Sequence, residues 1–217
     1  MYPKGNLFIK TAHGRLEAVL KKPLEEPRGL ALVCHPHPLG GGTMHNKVVF
    51  RAAAGLVDAG LATLRFNFRG VGASTGKHDD GIGEKQDVLD ALNYITQQYP
   101  ALGVTFAGFS FGSRFGLEAV INNQRISRFI SIGTPVDKYH DYDFLLELRK
   151  PILFIHGDQD EFGSLESLEA LVTKVAAVTD TTVKIFNNCG HFFDEHLNEL
   201  RVCIRDWELA KQREETS

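Results

Sequence analysis

The sequence predicts an α/β fold with helices on both faces of a mostly parallel sheet of about eight strands. Strand and helix patterns alternate along the chain, most strand candidates are unbroken apolar runs, and no linker-like composition divides the 217 residues. Alternation of this kind indicates βαβ units, and unbroken apolar strands are typical of a parallel sheet that is covered on both sides. We therefore expect a single domain over residues 1–217.

Each element follows from a local pattern. Strands are predicted where short apolar runs lie between turn residues, and helices where apolar residues recur every three or four positions. In chain order these are strands Leu7–Ala12 and Arg15–Lys21 joined as a hairpin, strand Leu30–Cys34, a helix over Asn46–Ala59, strand Leu61–Phe68, a helix through Val88–Tyr99, strand Val104–Phe109, a helix over Phe111–Asn122, strands Arg128–Gly133 and Ile152–Ile155, a helix through Leu165–Val175, strand Val183–Phe186 and a helix through Leu197–Trp207. In open α/β sheets, functional residues gather at the carboxyl ends of the strands.

The clearest functional signal is Ser110 within the pentapeptide GFSFG. This pentapeptide follows the apolar strand VTFA and opens an amphipathic helix. A nucleophilic serine needs a sharp strand-to-helix turn, and crowding at that turn requires small residues two positions before and after it. Gly108 and Gly112 occupy those positions. The pattern predicts a nucleophile; the alternative is that Ser110 only caps the helix.

A serine hydroxyl needs a base to take its proton and an acid to orient that base. His191 follows the strand ending at Phe186, and Asp160 follows the strand ending near Ile155. The order Ser, Asp, His fits the α/β-hydrolase arrangement. We assign Ser110 as nucleophile, His191 as general base and then acid, and Asp160 as the residue that orients the imidazole. Asp158 and Asp137 are alternatives for the acid, and His196 is an alternative for the base. We expect Asp158 to bond loop amides instead, Asp137 follows the preceding strand, and we expect His196 to lie at the surface.

An acyl-transfer enzyme also needs N–H donors for the developing oxyanion. The amide of Phe111, directly after the nucleophile, is the first candidate. The second should come from HPHPLGGG, the loop after LALVC. Its two prolines have no N–H to donate, which leaves His37 or Leu39, and we favour His37.

The ordered motifs HPHPLGGGTMHNKVV, LRFNFRGVGASTG, DDGIGEKQDV, GFSFG, HGDQDE and CGHFF carry a family resemblance. Together they resemble small α/β-hydrolase superfamily proteins related to dienelactone hydrolases and serine carboxylesterases, over about Leu30 to Glu195. The resemblance implies the same triad of Ser110, Asp160 and His191. Dienelactone hydrolases typically carry a cysteine nucleophile, so the serine favours ordinary esters.

These observations predict a serine hydrolase, most concretely a carboxylesterase acting on a small-molecule ester. The alternatives are a thioesterase or peptidase that uses the same triad, or a non-catalytic ligand-binding protein of the same fold.

Only 18 residues, 134–151, separate two predicted strands where hydrolases usually insert a helical cap. We therefore expect no sizeable cap and a shallow serine. Most of the phenylalanines near the catalytic loops are expected to lie in the core, and one or two of them, with Leu39, to line an apolar acyl pocket that prefers butyrate to charged acyl groups. These phenylalanines are Phe109, Phe111, Phe115, Phe162, Phe192 and Phe193.

Composition narrows the remaining classes. With 24 Lys+Arg against 27 Asp+Glu and a net charge of −3, we expect no nucleic-acid partner. We expect no membrane partner either, since no apolar run approaches a signal peptide or membrane span. Three widely spaced cysteines suit the cytoplasm. We expect no cofactor, because Thr75 replaces the third glycine of a dinucleotide motif starting at Gly70, and no metal, because the His35/His37 pair lacks further ligands. The expected state is a monomer or small homo-oligomer.

Overall fold

A computed structural model describes residues 6–216 and contains one eight-stranded sheet. The strands are β1 (Leu7–Thr11), β2 (Gly14–Lys21), β3 (Gly29–Cys34), β4 (Leu61–Phe66), β5 (Val104–Phe109), β6 (Ile126–Ile132), β7 (Ile152–Gly157) and β8 (Thr181–Phe186). Their order across the sheet is β1-β2-β4-β3-β5-β6-β7-β8. The hairpin β1–β2 and the pair β2–β4 are antiparallel, and every other pair is parallel. The predicted mostly parallel sheet is confirmed.

Helices cover both faces of this sheet, as predicted. They are α1 (Lys47–Asp58), α2 (Ile82–Gln98), α3 (Phe111–Val120), α4 (Leu165–Ala176) and α5 (Leu197–Thr216). The apolar sides of α1 and α5 pack into one core cluster, whereas those of α2, α3 and α4 pack into the other. Every residue of β4, β5 and β7 is buried. Burial on both faces explains why these strands show no polar alternation in the sequence.

Some boundaries differ from the sequence prediction. Strand β4 ends at Phe66 rather than Phe68, because Asn67 leaves the ladder: its side chain accepts a hydrogen bond from Met44 N–H and donates one to Glu17. Strand β8 begins at Thr181, two residues before the predicted start. It lies at the edge of the sheet, where polar residues are tolerated on the open side, so its first residues give no apolar signal.

The region between β6 and β7 holds no cap domain. Its regular structure is one short 3-10 turn, Asp143–Glu147. Consequently nothing larger than a loop stands over the carboxyl ends of the central strands, which confirms the expected lid-less fold. Within the described residues, no helix has the length and apolar character needed to cross a membrane.

Candidate active site

Ser110 lies on the tight turn between β5 and α3. Its backbone angles are φ 54° and ψ −119°, a conformation that is costly for a residue with a side chain. A Cβ at Gly112 would lie 2.7 Å from the carbonyl oxygens of Cys34 and His35, and a Cβ at Gly108 would overlap the backbone of Gly112. The turn can therefore form only with glycine at both positions, as the pentapeptide predicts.

The Ser110 side chain does not cap the helix. Ser110 occupies the N-cap position of α3 but makes no side-chain capping bond. Instead its Oγ lies 2.9 Å from Nε2 of His191. The strained backbone thus directs the hydroxyl towards an imidazole. The capping alternative would need it to bond the first N–H groups of the helix, and it does not.

His191 joins Ser110 to Asp160. Its Nδ1 lies 2.7 Å from Asp160 Oδ2, and both His191 and Asp160 are buried, with 2% and 7% of their surface exposed. With the proton on Nδ1 donated to the carboxylate, Nε2 is free to accept the proton of the serine hydroxyl. The three predicted residues therefore form one continuous hydrogen-bonded chain.

The loops that carry the acid and the base are fastened to each other. Gln159 N–H donates to Cys189 C=O at 2.9 Å, and a Cβ at Gly157 would overlap that same carbonyl group. Asp160 is fixed further by its second oxygen, which accepts the N–H of Phe162 at 2.9 Å. The carboxylate is thus oriented by backbone contacts before any substrate arrives.

The rival acids lie in other contacts. Asp158 accepts the N–H of Cys189 at 3.0 Å, and backbone N–H groups lower its pKa, in agreement with its predicted role in bonding loop amides. Asp137 accepts the N–H of Ser164 at 2.6 Å. His196 lies in a 3-10 turn with its ring against Phe186 and its Nδ1 3.3 Å from Glu199. The structure joins Asp160, and neither of these acids, to His191.

The loop after β3 curls into a short 3-10 turn around His37. Gly40 N–H and Gly42 N–H both donate to the His37 carbonyl at 3.0 Å, and Leu39 N–H donates to His37 Nδ1 at 3.2 Å. The amide of Leu39 is therefore occupied. The amides of His37 and Phe111 have no protein acceptor among the described residues, so both are available to an oxyanion.

Three rings pack behind these two amides. The His37 and Phe111 rings lie 5.1 Å apart, and the His78 ring lies 5.0 Å from His37 and 5.8 Å from Phe111. His78 is held through Nδ1 by Glu84 at 2.8 Å. Glu84 is fully buried and also accepts the N–H groups of Asp79 and Gly81. Sequence reasoning assigned no role to His78 or Glu84. The one indication was that Glu84 is the third residue of α2, a position from which a glutamate side chain accepts N–H groups at the start of a helix.

The His37 ring is neutral near pH 7. Burial, followed by the positive charges of Lys138 and His78, lowers its pKa. A neutral ring can accept the Leu39 N–H through Nδ1, which a protonated ring cannot do. The shape of the oxyanion loop therefore depends on an uncharged His37.

An open cleft of about 320 Å³ lies over Ser110. Its walls are Pro36, His37, Leu39, Gly40, Gly41, Gly42, Asn46, Ser110, Lys138, Phe162, His191 and Phe192. Two of the predicted phenylalanines, Phe162 and Phe192, line it together with Leu39, whereas Phe109, Phe111 and Phe193 are buried in the core. Lys138 also lines the cleft, and sequence reasoning missed it. A larger cleft of about 620 Å³ lies near Lys21–Glu26 and contains no residue of the hydrogen-bonded chain.

Aromatic rings enclose the imidazole. The ring of His191 lies 4.9 Å from Phe109, 4.7 Å from Phe162 and 5.2 Å from Phe192. These contacts limit water around the base and strengthen its bonds to Asp160 and Ser110. Within residues 6–216, no group of three or more His, Cys, Asp or Glu side chains is placed to hold a metal ion.

The chain is similar to known proteins over most of its length. The alpha/beta hydrolase domain family matches residues 31–201. An uncharacterized protein of Rickettsia prowazekii is 36% identical over 95% of this chain and 89% of its own. A solved protein of unknown function from Agrobacterium tumefaciens is 30% identical, covers 97% of both chains and has a TM-score of 0.90. A serine hydrolase without lid from Xanthomonas campestris is 30% identical over 98% of this chain and 97% of its own, with a TM-score of 0.85. These likenesses support hydrolase activity.

Proposed function

Since the chain belongs to the alpha/beta hydrolase domain family, we propose that it is a serine carboxylesterase that cleaves small, accessible carboxylic esters. The membership confirms the resemblance that the ordered motifs indicate. The observation that carries the proposal is the continuous chain of hydrogen bonds from Asp160 through His191 to Ser110. A fold alone does not give an activity, but a strained, partly exposed serine bonded to an oriented imidazole has the arrangement that activates a nucleophile.

In the first half of the reaction, Ser110 Oγ attacks the ester carbonyl while its proton passes to His191 Nε2. Asp160 stabilises the imidazolium that forms. The oxyanion of the tetrahedral intermediate accepts hydrogen bonds from the amides of His37 and Phe111. His191 then gives its proton to the leaving alcohol oxygen as the C–O bond breaks, which leaves the acyl group on Ser110.

In the second half, a water molecule takes the place of the alcohol. His191 removes a proton from this water as its oxygen attacks the acyl carbon, and the oxyanion again rests on the two amides. The intermediate collapses, the proton returns to Ser110 Oγ, and the carboxylic acid leaves. Thioesters and amides can pass through the same steps, so this mechanism alone does not exclude a thioesterase or a peptidase.

Substrate size follows from the shape of the cleft. No cap covers Ser110, and one wall residue, Leu39, is 75% exposed. An open cleft of this kind excludes few acyl or alcohol groups by size, so short esters with varied leaving groups should react. The absence of a cap thus supports the expectation that the enzyme accepts many different small esters.

Labelling with a fluorophosphonate probe tests the proposal. The wild-type chain should be labelled, and Ser110→Ala should lose both labelling and ester hydrolysis, with kcat/KM reduced by about 10⁴-fold or more. Ser167→Ala, at a serine of α4 that does not line the cleft, is the matched control and should keep both. A folded wild-type protein that takes up no label and cleaves no ester would show the proposal to be wrong and would favour a ligand-binding role.

A further inference from the structure

Lys138 is a cation in the wall of the catalytic cleft without an acidic partner. It is exposed and lines the same cleft as Ser110. Within residues 6–216, no carboxylate lies within ion-pair distance of its ammonium group. Lys47, also close to Phe192, differs in this respect: its ammonium forms an ion pair with Asp194. Of the two lysines beside the cleft, only Lys138 therefore has an unneutralised charge.

The backbone of Lys138 is anchored beside the base. Lys138 N–H donates to Pro135 C=O at 3.2 Å, and the neighbouring Asp137 N–H donates to Phe162 C=O at 3.1 Å. The ammonium lies 5.2 Å from the centre of the Phe162 ring and 5.7 Å from that of Tyr139. Such cation–π contacts favour this position over free solvent. Since the Phe162 ring also packs on His191, the charge is held close to the reacting groups.

No acid in the cleft competes for this charge. Among the described residues, the cleft wall contains no Asp or Glu side chain. The adjacent Asp137 is engaged elsewhere, because its carboxylate accepts the Ser164 N–H at 2.6 Å. The influence of Lys138 also extends to the oxyanion loop, where its charge contributes, after burial, to the lowered pKa of His37. The cleft is therefore positive on the side where Lys138 lies.

We propose that the preferred substrates are esters that carry a carboxylate, and that Lys138 binds this group while Ser110 attacks the ester. The inference rests on the proposed esterase function and names its substrate class. A carboxylate between apolar walls pairs with an ammonium more strongly than it does in open water. The long, flexible lysine side chain can reach carboxylates at several distances from the ester, so a series of half-esters should be accepted.

This proposal departs from the sequence expectation that butyrate is preferred to charged acyl groups. Leu39, Phe162 and Phe192 do form apolar walls, and these can pack on the methylene groups of a dicarboxylic half-ester as well as on a fatty acyl chain. The two acyl groups differ at the end that is far from the ester. The methyl group of a fatty acyl chain would face the Lys138 ammonium without pairing with it, whereas the carboxylate of a half-ester would form an ion pair.

The experiment compares charged and neutral esters in two series. In the acyl series, the 4-nitrophenyl monoester of glutaric acid is compared with 4-nitrophenyl butyrate; in the alcohol series, 3-carboxyphenyl acetate is compared with phenyl acetate. Spontaneous hydrolysis is subtracted. In each series the ratio of kcat/KM, charged over neutral ester, is measured for wild type, Lys138→Met, Lys138→Glu and the control Lys47→Met.

We expect the ratio to fall about tenfold in Lys138→Met in at least one series, and further in Lys138→Glu, because one charge pair is lost and then replaced by repulsion. The ratio carries the result, because an effect of Lys138 on the oxyanion loop through the pKa of His37 changes charged and neutral esters alike. Lys47→Met should keep the wild-type ratio. In wild type the ratio should also fall as salt rises from about 0.02 M to about 0.5 M.

An unchanged ratio in Lys138→Met in both series would overturn the role of Lys138. Equal losses in Lys47→Met would overturn it as well, since they would show a general effect of net charge. The neutral esters test the proposed function separately. If wild type cleaves them and Ser110→Ala does not, the esterase stands whatever the ratios show; if wild type cleaves no ester, both proposals are wrong.

Discussion

The floor and the rim of the catalytic cleft are built in different ways. On the floor, His191 and Asp160 are buried, and their bonds to each other, to Ser110 and to nearby backbone amides leave each group one orientation. On the rim, Leu39 is 75% exposed and Phe192 is 40% exposed. The rim side chains are held mainly by ring contacts and by the loops that carry them.

This difference separates chemistry from selectivity. Groups that must meet within a few tenths of an ångström lie on elements fixed by the sheet, as catalysis requires. Groups that meet only the outer part of a substrate lie on exposed loops, where substitutions alter few internal contacts. Changes on the floor should therefore affect every ester alike, and changes on the rim should alter the ratio between esters.

The largest effect is expected at the acid on the floor. Asp160→Asn keeps the shape of the side chain but removes the charge that stabilises the His191 imidazolium, and we expect kcat to fall about 10³- to 10⁴-fold for neutral and charged esters alike. The measurement is steady-state hydrolysis of 4-nitrophenyl butyrate and of the glutaric monoester.

The matched control for this change is Asp158→Asn, two residues earlier. Asp158 bonds the Cys189 amide but not His191, so its variant should lose less than about tenfold in kcat. A loss in Asp158→Asn equal to that in Asp160→Asn would contradict the assignment of the acid. A loss confined to one ester would contradict the separation of floor from rim.

A second test concerns the support beneath the oxyanion loop, at His35. This residue is fully buried: its Nδ1–H donates to Pro36 C=O at 2.6 Å, and its Nε2 accepts the Phe68 N–H at 3.0 Å. Nε2 can accept this bond only while the ring is neutral. Burial lowers the pKa of His35 from 6.5 to about 4.

The lowered pKa makes stability depend on pH. Between pH 6.5 and about 4, the unfolded chain takes up a proton at His35 and the folded chain does not. The contribution to the free energy of unfolding is therefore complete above pH 6.5 and is lost as the pH falls, by about 2 kcal/mol at pH 5. Urea unfolding of wild type at pH 7 and pH 5 measures the change.

His35→Gln is the control for this prediction, because an amide oxygen can accept the Phe68 N–H but does not titrate. We expect the variant to be less stable than wild type at pH 7 and to lose about 2 kcal/mol less between pH 7 and pH 5. The same pH dependence in both proteins would show that other groups, and not His35, cause the acid sensitivity.

The sequence predicts the floor better than the rim, for a physical reason. Ser110, Asp160 and His191 each follow a strand in a parallel sheet, and the carboxyl ends of such strands meet at one edge. Local pattern and chain order are therefore enough to predict that these three side chains meet, as their hydrogen bonds show. For the second oxyanion donor the sequence leaves two candidates, the amides of His37 and Leu39, because Pro36 and Pro38 have no N–H. The structure is needed to separate them, since it shows the Leu39 N–H bonded to His37 Nδ1.

Lys138 and His78 escape this reasoning because their roles depend on contacts between loops. Lys138 is held by contacts with the rings of Phe162 and Tyr139. His78 is held by the ring of His37, which follows β3, and by the carboxylate of Glu84 in α2. No spacing along the chain encodes these distances. Cleft walls made of several loops have to be read from the structure.

The smallest effect that we predict is at His78, which joins floor to rim. His78 touches no reacting atom in the proposed mechanism; its ring packs against the rings of His37 and Phe111, whose amides are the proposed oxyanion donors. His78→Ala should let these two amides spread. We expect kcat to fall about tenfold, less than the loss from deleting an oxyanion donor, with KM nearly unchanged because the ground-state carbonyl binds these amides weakly.

Rescue separates positioning from general destabilisation. His78→Phe restores a ring against Phe111 without the bond to Glu84, so it should recover part of kcat, while His140→Ala, at an exposed histidine, should leave both kinetic constants unchanged. If His78→Ala raised KM and kept kcat, His78 would belong to the rim, as a substrate contact. A matching loss of kcat and unfolding free energy in both His78 variants would instead mark a purely structural residue. A fall in kcat alone in His78→Ala that His78→Phe partly reverses would show that aromatic packing at the edge of the cleft helps to position the proposed oxyanion donors.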